Sequence, residues 1–272
     1  MGTAILTLLL ALQSPAPSLL DASAEGNSAV VQSLLRSGAN VNAVGEDGET
    51  PLLAAARRGD SATLKLLLDA GAQSGARRWN GETALHAAVA SNSLSAVKQL
   101  LAAGLSPNEP ESRRGQTPLH YAAAEGRVPL VQALLDAGAA TDTASKSGAT
   151  ALWLAAQGGH ADAVSLLLQR GANANAAGPD GYRPIHLAAR ACQPPMLQAI
   201  AAAKPDWNAI ATNGGSPLLL AVEQNCLPAV RLLVEAGADL SVKNQRGSTA
   251  LEYARRRRLK EIVEFLESKA KP

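Results

Sequence analysis

Small apolar residues recur along this chain in one fixed frame. The stretch TPLLAAARRG begins at Thr50, TALHAAVASN at Thr83, TPLHYAAAEG at Thr117 and TALWLAAQGG at Thr150. RPIHLAARAC follows at Arg183, SPLLLAVEQN at Ser216 and TALEYARRRR at Thr249, so every step is 33 or 34 residues. One step back from Thr50 lands on Pro17, where PSLLDASAEG fits the same frame. Five residues into each repeat stands Ala22, Ala55, Ala88, Ala122, Ala155, Ala188, Ala221 or Ala254. Two residues in, every repeat has Leu or Ile; fourteen in, Val or Leu; seventeen in, Leu or Ile.

These positions follow helical rather than strand spacing, and predict two short helices per repeat. An alanine in every repeat fits a place where two backbones approach closely. Pro129, Pro195 and Pro228 fall in the first turn of the second helix, where a residue without an N–H is tolerated. Gly38, Gly71, Gly104, Gly138, Gly171 and Gly237 fall at its end, the place for a left-handed stop. Polar, Gly-containing links such as NAVGEDGE and NAAGPDGY then read as tight hairpins.

The period near 33, with TPLH-x-A, LL-x-x-GA and N-A…D-G, resembles the ankyrin repeat. The resemblance covers residues 17–272 as eight units: 17–49, 50–82, 83–116, 117–149, 150–182, 183–215, 216–248 and 249–272. It implies an all-α solenoid of stacked helix pairs with β-hairpin finger loops. Ser23 and Asp21 in the first repeat and Arg255 in the last replace residues that are mostly small or apolar elsewhere, as expected of polar end caps. The sixth repeat departs most, with Pro194-Pro195 at its second helix and Lys204-Pro205 where the glycine belongs. A distorted or re-routed helix end is expected there, in the softest repeat of the array. The finger after Asn108 carries one extra residue and is expected to be displaced.

Composition narrows the function. Aromatics are only 3% of a chain that is 47% hydrophobic, so Ala and Leu must build the core. A net charge of +2, from 25 basic and 23 acidic residues, gives no reason to expect nucleic acid as partner. After residue 12 no apolar run is long enough to span a membrane. His86, His120 and His186 occupy the histidine of TPLH, and His160 that of the G-H turn. The resemblance makes all four structural, leaving none for a metal or a catalytic pair. Trp153 stands in the TPLH-histidine position and puts that hydrogen bond in doubt. Phosphate loops and hydrolase motifs are absent from the sequence. Cys192 and Cys226 lie in neighbouring repeats, whose helix spacing exceeds the ~7 Å Cα reach of a disulfide. Two thiols are the expected state, although the one-residue offset and the irregular sixth repeat leave a disulfide open.

The chain therefore reads as a non-catalytic protein–protein interaction module without cofactor or metal. The rivals are a cytosolic or nuclear regulatory adaptor and an enzyme subunit with an unrecognised site. In ankyrin-like stacks the partner meets finger tips and the inner helix face. Carried onto this sequence, that surface comprises Arg57 and Arg58, Trp79 and Asn80, and Arg113 and Arg114. It continues through Glu125, Lys146, Gln157, Tyr182 and Arg190. Trp79 is either a binding anchor or packed on the neighbouring finger. The arginine doublets 57–58, 77–78 and 113–114 suit an acidic protein surface, or form a solvated face balanced by Glu46, Glu49, Glu82, Glu109 and Glu111. The run RRRRLK at 255–260 reads as a basic cap rather than a nuclear address. A protein partner, no nucleic acid, no stable membrane insertion and a monomeric state are expected.

Residues 1–16 lie outside the repeat frame. Their apolar run, Ala4 to Leu12, is too short for a bilayer but suits the core of a signal peptide, with Ser14-Pro15-Ala16 as a small-x-small site. The absence of Lys or Arg before Arg36, and Pro17 after the site, count against it. Export to a periplasmic or extracellular space is the expectation, a cytoplasmic location the alternative.

Overall fold

The computed structural model describes residues 17–270. Its contacts divide into two compact units with the boundary after Leu105. The first holds three helix pairs: α1 (Leu19–Glu25) with α2 (Ser28–Arg36), α3 (Pro51–Arg58) with α4 (Ser61–Asp69), and α5 (Ala84–Ala90) with α6 (Leu94–Ala102). The second holds five. These are α7 (Pro118–Ala124) with α8 (Val128–Asp136), α9 (Ala151–Gln157) with α10 (Ala161–Gln169) and α11 (Pro184–Arg190) with α12 (Pro194–Ala202). Then come α13 (Pro217–Glu223) with α14 (Leu227–Glu235) and α15 (Ala250–Arg257) with α16 (Lys260–Lys269). Within each unit, first helices stack on first helices of the adjacent pair and second helices on second helices.

Local sequence explains where each pair begins. The Thr50, Thr150 and Ser216 hydroxyls accept the N–H three residues on, at 3.2–3.3 Å, satisfying a donor that the helix leaves open. Proline follows directly in α3, α7, α11 and α13, where no N–H is required. The alanine of each repeat is completely buried in all eight cases. It sits where successive first helices press together, and a larger side chain would force them apart.

Second helices stop on a left-handed residue. From Gly38 to Gly237 the column has φ between 81° and 100°. Lys204 adopts φ 51° in the same place, and α12 keeps the nine-residue length of its neighbours. The expected re-routing does not occur. What the sixth repeat loses is one bond: Ala172 N–H donates to Leu167 O at 3.0 Å, whereas the equivalent residue, Pro205, has no N–H.

The fingers are tight turns rather than ribbons. Each closes with one backbone bond, as from Gly45 to Glu49 or Gly178 to Tyr182, both 2.8 Å. Among the described residues the single β-bridge is Arg77–Thr83. The extra residue near 111 is absorbed locally: Glu111 N–H donates to Gln116 O at 2.9 Å, one residue further on than elsewhere. The Glu111 carboxylate accepts the N–H groups of Arg113 and Arg114, at 2.6 Å each, and of Gln116 at 3.0 Å. Only 3% exposed, Glu111 organises the turn from inside instead of balancing a solvated face. Ser23 also departs from expectation. It is fully buried, its hydroxyl donating to Leu19 O at 2.7 Å, while Asp21 stays exposed and caps α1 with Ser18.

Cys192 and Cys226 form a disulfide with a Cα–Cα distance of 5.7 Å, contrary to the expectation of two thiols. Helix spacing misjudged the distance because the cysteines lie in turns. The residue that opens one repeat's second helix reaches back to the turn of the repeat before it. Ser93 Oγ donates to Gly59 O at 2.9 Å, and His160 Nε2 bonds Ala124 O at 3.0 Å. Cys226 occupies that reaching position, and Cys192, with φ 51°, the turn it reaches. A covalent link replaces the usual hydrogen bond. Residues 1–16, including the signal-like segment, lie outside the described residues.

Candidate partner-binding groove

The arginine doublets separate into two kinds. In the first unit, Glu49 is buried and forms ion pairs with Arg57 and with Arg78, the latter at 2.9 Å. Arg78 also lies 3.5 Å from Glu82 and 3.8 Å from Asp47. These charges are spent on one another. Arg58 lies over the Gly26 turn, where its guanidinium fills the space of a Cβ. Trp79 is 77% exposed, with its ring edge on Gly48 and its backbone N–H donating to Asp47 O at 3.0 Å. Asn80 closes its own turn by accepting the Glu82 N–H at 3.0 Å.

In the second unit, Arg113, Arg114, Lys146, Gln157, Tyr182 and Arg190 come together in one open groove of about 700 Å³. Three fingers, at 111–116, 145–149 and 178–182, form it together with α9 and α11. Lys146 lies across Gly115, and its Nζ donates to Ser112 O at 2.5 Å. The Arg190 guanidinium stands 5.0 Å from the centre of the Tyr182 ring, a cation–π distance. The Tyr182 hydroxyl accepts from Asn213 Nδ2 at 2.8 Å, and its ring lies 5.6 Å from that of His186. Arg113, Arg114, Lys146 and Arg190 make no ion pair with a carboxylate among the described residues. Asp180 is the one acidic residue of the lining, so the groove is cationic. Glu125 lies outside it, 4.0 Å from Arg127.

The floor was not foreseen from sequence. Leu154, Leu187 and Trp153 line it, the last two buried. The Trp153 indole N–H donates to Tyr182 O at 2.8 Å. His120 makes the same bond one repeat earlier, from Nε2 to Ala149 O at 3.1 Å, so the tryptophan keeps the bond placed in doubt. Gly178 admits the larger ring, because a Cβ there would overlap the indole. The pairing of Trp153 with Gly178 one repeat on is the signal that could have marked this place.

The histidines are structural. Nδ1 of His120 and of His186 accepts the N–H of Thr117 and Arg183, both at 3.1 Å. Nε2 therefore carries the proton and donates to a carbonyl, Ala149 O or Ala209 O. Burial, the largest influence, holds the pKa of His186 below its ordinary value. Among the described residues no three His, Cys, Asp or Glu side chains converge as metal ligands, and no helix is long and apolar enough to cross a membrane.

The sequence description of the family "Ankyrin repeats (3 copies)" matches residues 19–111, 92–178, 119–211 and 185–272. The chain belongs to the ankyrin-repeat family, whose repeats are generally protein–protein interaction modules. It is similar to the crystal structure of the ankyrin repeat domain of Bcl-3, described as a unique member of the IkappaB protein family. The two share 33% identity at a TM-score of 0.70, over 80% of this chain and 100% of that one. A comparison with curated proteins finds no match.

Proposed function

We propose that this protein is a non-catalytic binding module whose partner presents an acidic surface to the groove of the second unit. One observation carries the reading. Four cations gather on a groove and make no ion pair with a carboxylate among the described residues, whereas Arg57 and Arg78 are neutralised by Glu49. Unpaired guanidinium groups beside a stacked arginine suit carboxylates, which they grip with two donors. The contact surface then centres on residues 113–190 and leaves Trp79 outside it. Affinity purification with the wild type and with Arg113→Glu/Arg114→Glu tests this. The charge reversal is expected to lose the partner while Trp79→Ala retains it. Equal recovery by the wild type and the charge reversal would overturn the reading.

We propose further that residues 1–16 direct export. Support comes from the Cys192–Cys226 disulfide, because such links persist in oxidising compartments and are rare in the cytosol.

A further inference from the structure

Two steps between successive fingers of the second unit are tied by one backbone bond in the same register, whereas at the last step Gln245 reaches Thr212 O through its side-chain Nε2 instead. Lys146 N–H donates to Arg114 O at 2.8 Å, and Thr212 N–H donates to Asp180 O at 2.9 Å. Between these two steps the tie is missing. The residue in register is Pro179, which has no N–H, and among the described residues no group donates to Ser147 O. Ser147 and Pro179 both line the cationic groove. The carbonyl of the exposed Ser147, an apolar floor and cations without a carboxylate partner therefore meet at one place.

We propose that the occupant is an extended acidic peptide segment that places one backbone N–H on Ser147 O, at the tie Pro179 leaves open. This rests on the binding reading above and names the form its partner takes. The acceptor argues for a peptide: phosphate at neutral pH offers oxygens and little else, whereas an extended chain offers an N–H at every residue. Alternate side chains of that chain point the same way, so acidic residues at every second position face Arg113, Arg114 and Lys146 together. An apolar residue between them meets Trp153 and Leu187 on the floor.

Fluorescence anisotropy on the full chain tests the proposal. The probe is a labelled peptide alternating Glu with Thr around a central Leu; a single-stranded oligonucleotide and inorganic phosphate are competitors. The peptide is expected to bind with an affinity that falls as salt rises. Arg113→Glu/Arg114→Glu weakens it by more than about tenfold. The decisive variant is Pro179→Ala, which removes no charge but restores an N–H that can close the tie onto Ser147 O. It is expected to weaken the peptide about three- to tenfold, the worth of one hydrogen bond. N-methylation of the peptide backbone around the Leu checks the same bond without altering the protein. If Pro179→Ala and N-methylation both leave affinity unchanged while the charge reversal abolishes it, the cationic groove stands and the backbone contact is overturned. If the oligonucleotide binds more tightly than the peptide, or phosphate displaces the peptide at equal concentration, the peptide assignment is overturned.

Discussion

His186 shows how one buried ring connects the core to the binding face. Its Nδ1 accepts from Arg183, its Nε2–H donates to Ala209 O, and its ring meets Tyr182, on which Arg190 stacks. Burial lowers its pKa first, and the nearby Arg183 charge adds to this; bonds to the Ala209 and Gly215 backbone and the Asp206 charge oppose it. In the unfolded chain the imidazole titrates near ~6.5. Below that pH the unfolded state takes up the proton more readily, so stability is complete above ~6.5 and is lost as pH falls through the depressed folded value. The urea midpoint is expected to fall on acidification below ~6.5. The difference between wild type and His186→Gln should shrink over the same window. Parallel curves for the two proteins would show that another group drives the acid loss.

At the scale of elements, the pair α11 and α12, with its turn and its stop, carries the irregularities: Pro194 and Pro195 opening α12, a left-handed Cys192 and a left-handed Lys204. Their bounds nonetheless match those of the other pairs, because stacking on α9, α10, α13 and α14 specifies them more strongly than local preference does. The disulfide adds a covalent tie from this pair's turn to the next. Cys192 and Cys226 are 34 residues apart, and closing such a loop is worth about 3–4 kcal/mol through the unfolded chain. Reductant is expected to lower the urea midpoint of the wild type and leave that of Cys192→Ser/Cys226→Ser unchanged. Hydrogen exchange should quicken on reduction in residues 183–215 more than in 117–149, since each pair is held mainly by its neighbours. Uniform quickening would contradict that locality.

For the whole molecule, the two compact units differ in what they do with charge. The one ending at Leu105 buries Glu49 among its arginines. The one beginning at Ser106 buries Glu111 against backbone N–H groups and, among the described residues, leaves Arg113, Arg114 and Arg190 without a carboxylate partner. Arginines and a buried glutamate on the fingers thus yield a neutralised face in one unit and a cationic groove in the other. The export proposal belongs to this scale as well. The mature protein isolated from its native cell is expected to begin after residue 16, with Cys192 and Cys226 protected from alkylation. An intact Met1 together with two free thiols would place it in a reducing compartment instead.

Helices, their caps and stops, the buried alanine column and the family were all legible in the chain. These are short-range or periodic features, repeated in register through the array. Six of the groove residues were legible for the same reason, since their repeat positions place them on finger tips and the inner face. Tertiary structure alone decided which arginines are spent and which are free. That depends on whether a carboxylate points at a neighbour's guanidinium, as Glu49 does, or at its own backbone, as Glu111 does. It also decided that Cys192 and Cys226 meet, because turns approach more closely than the helix axes they join. Pro179 lies between these cases: its missing N–H is written in the sequence, but the gap it leaves exists only where the fingers come side by side.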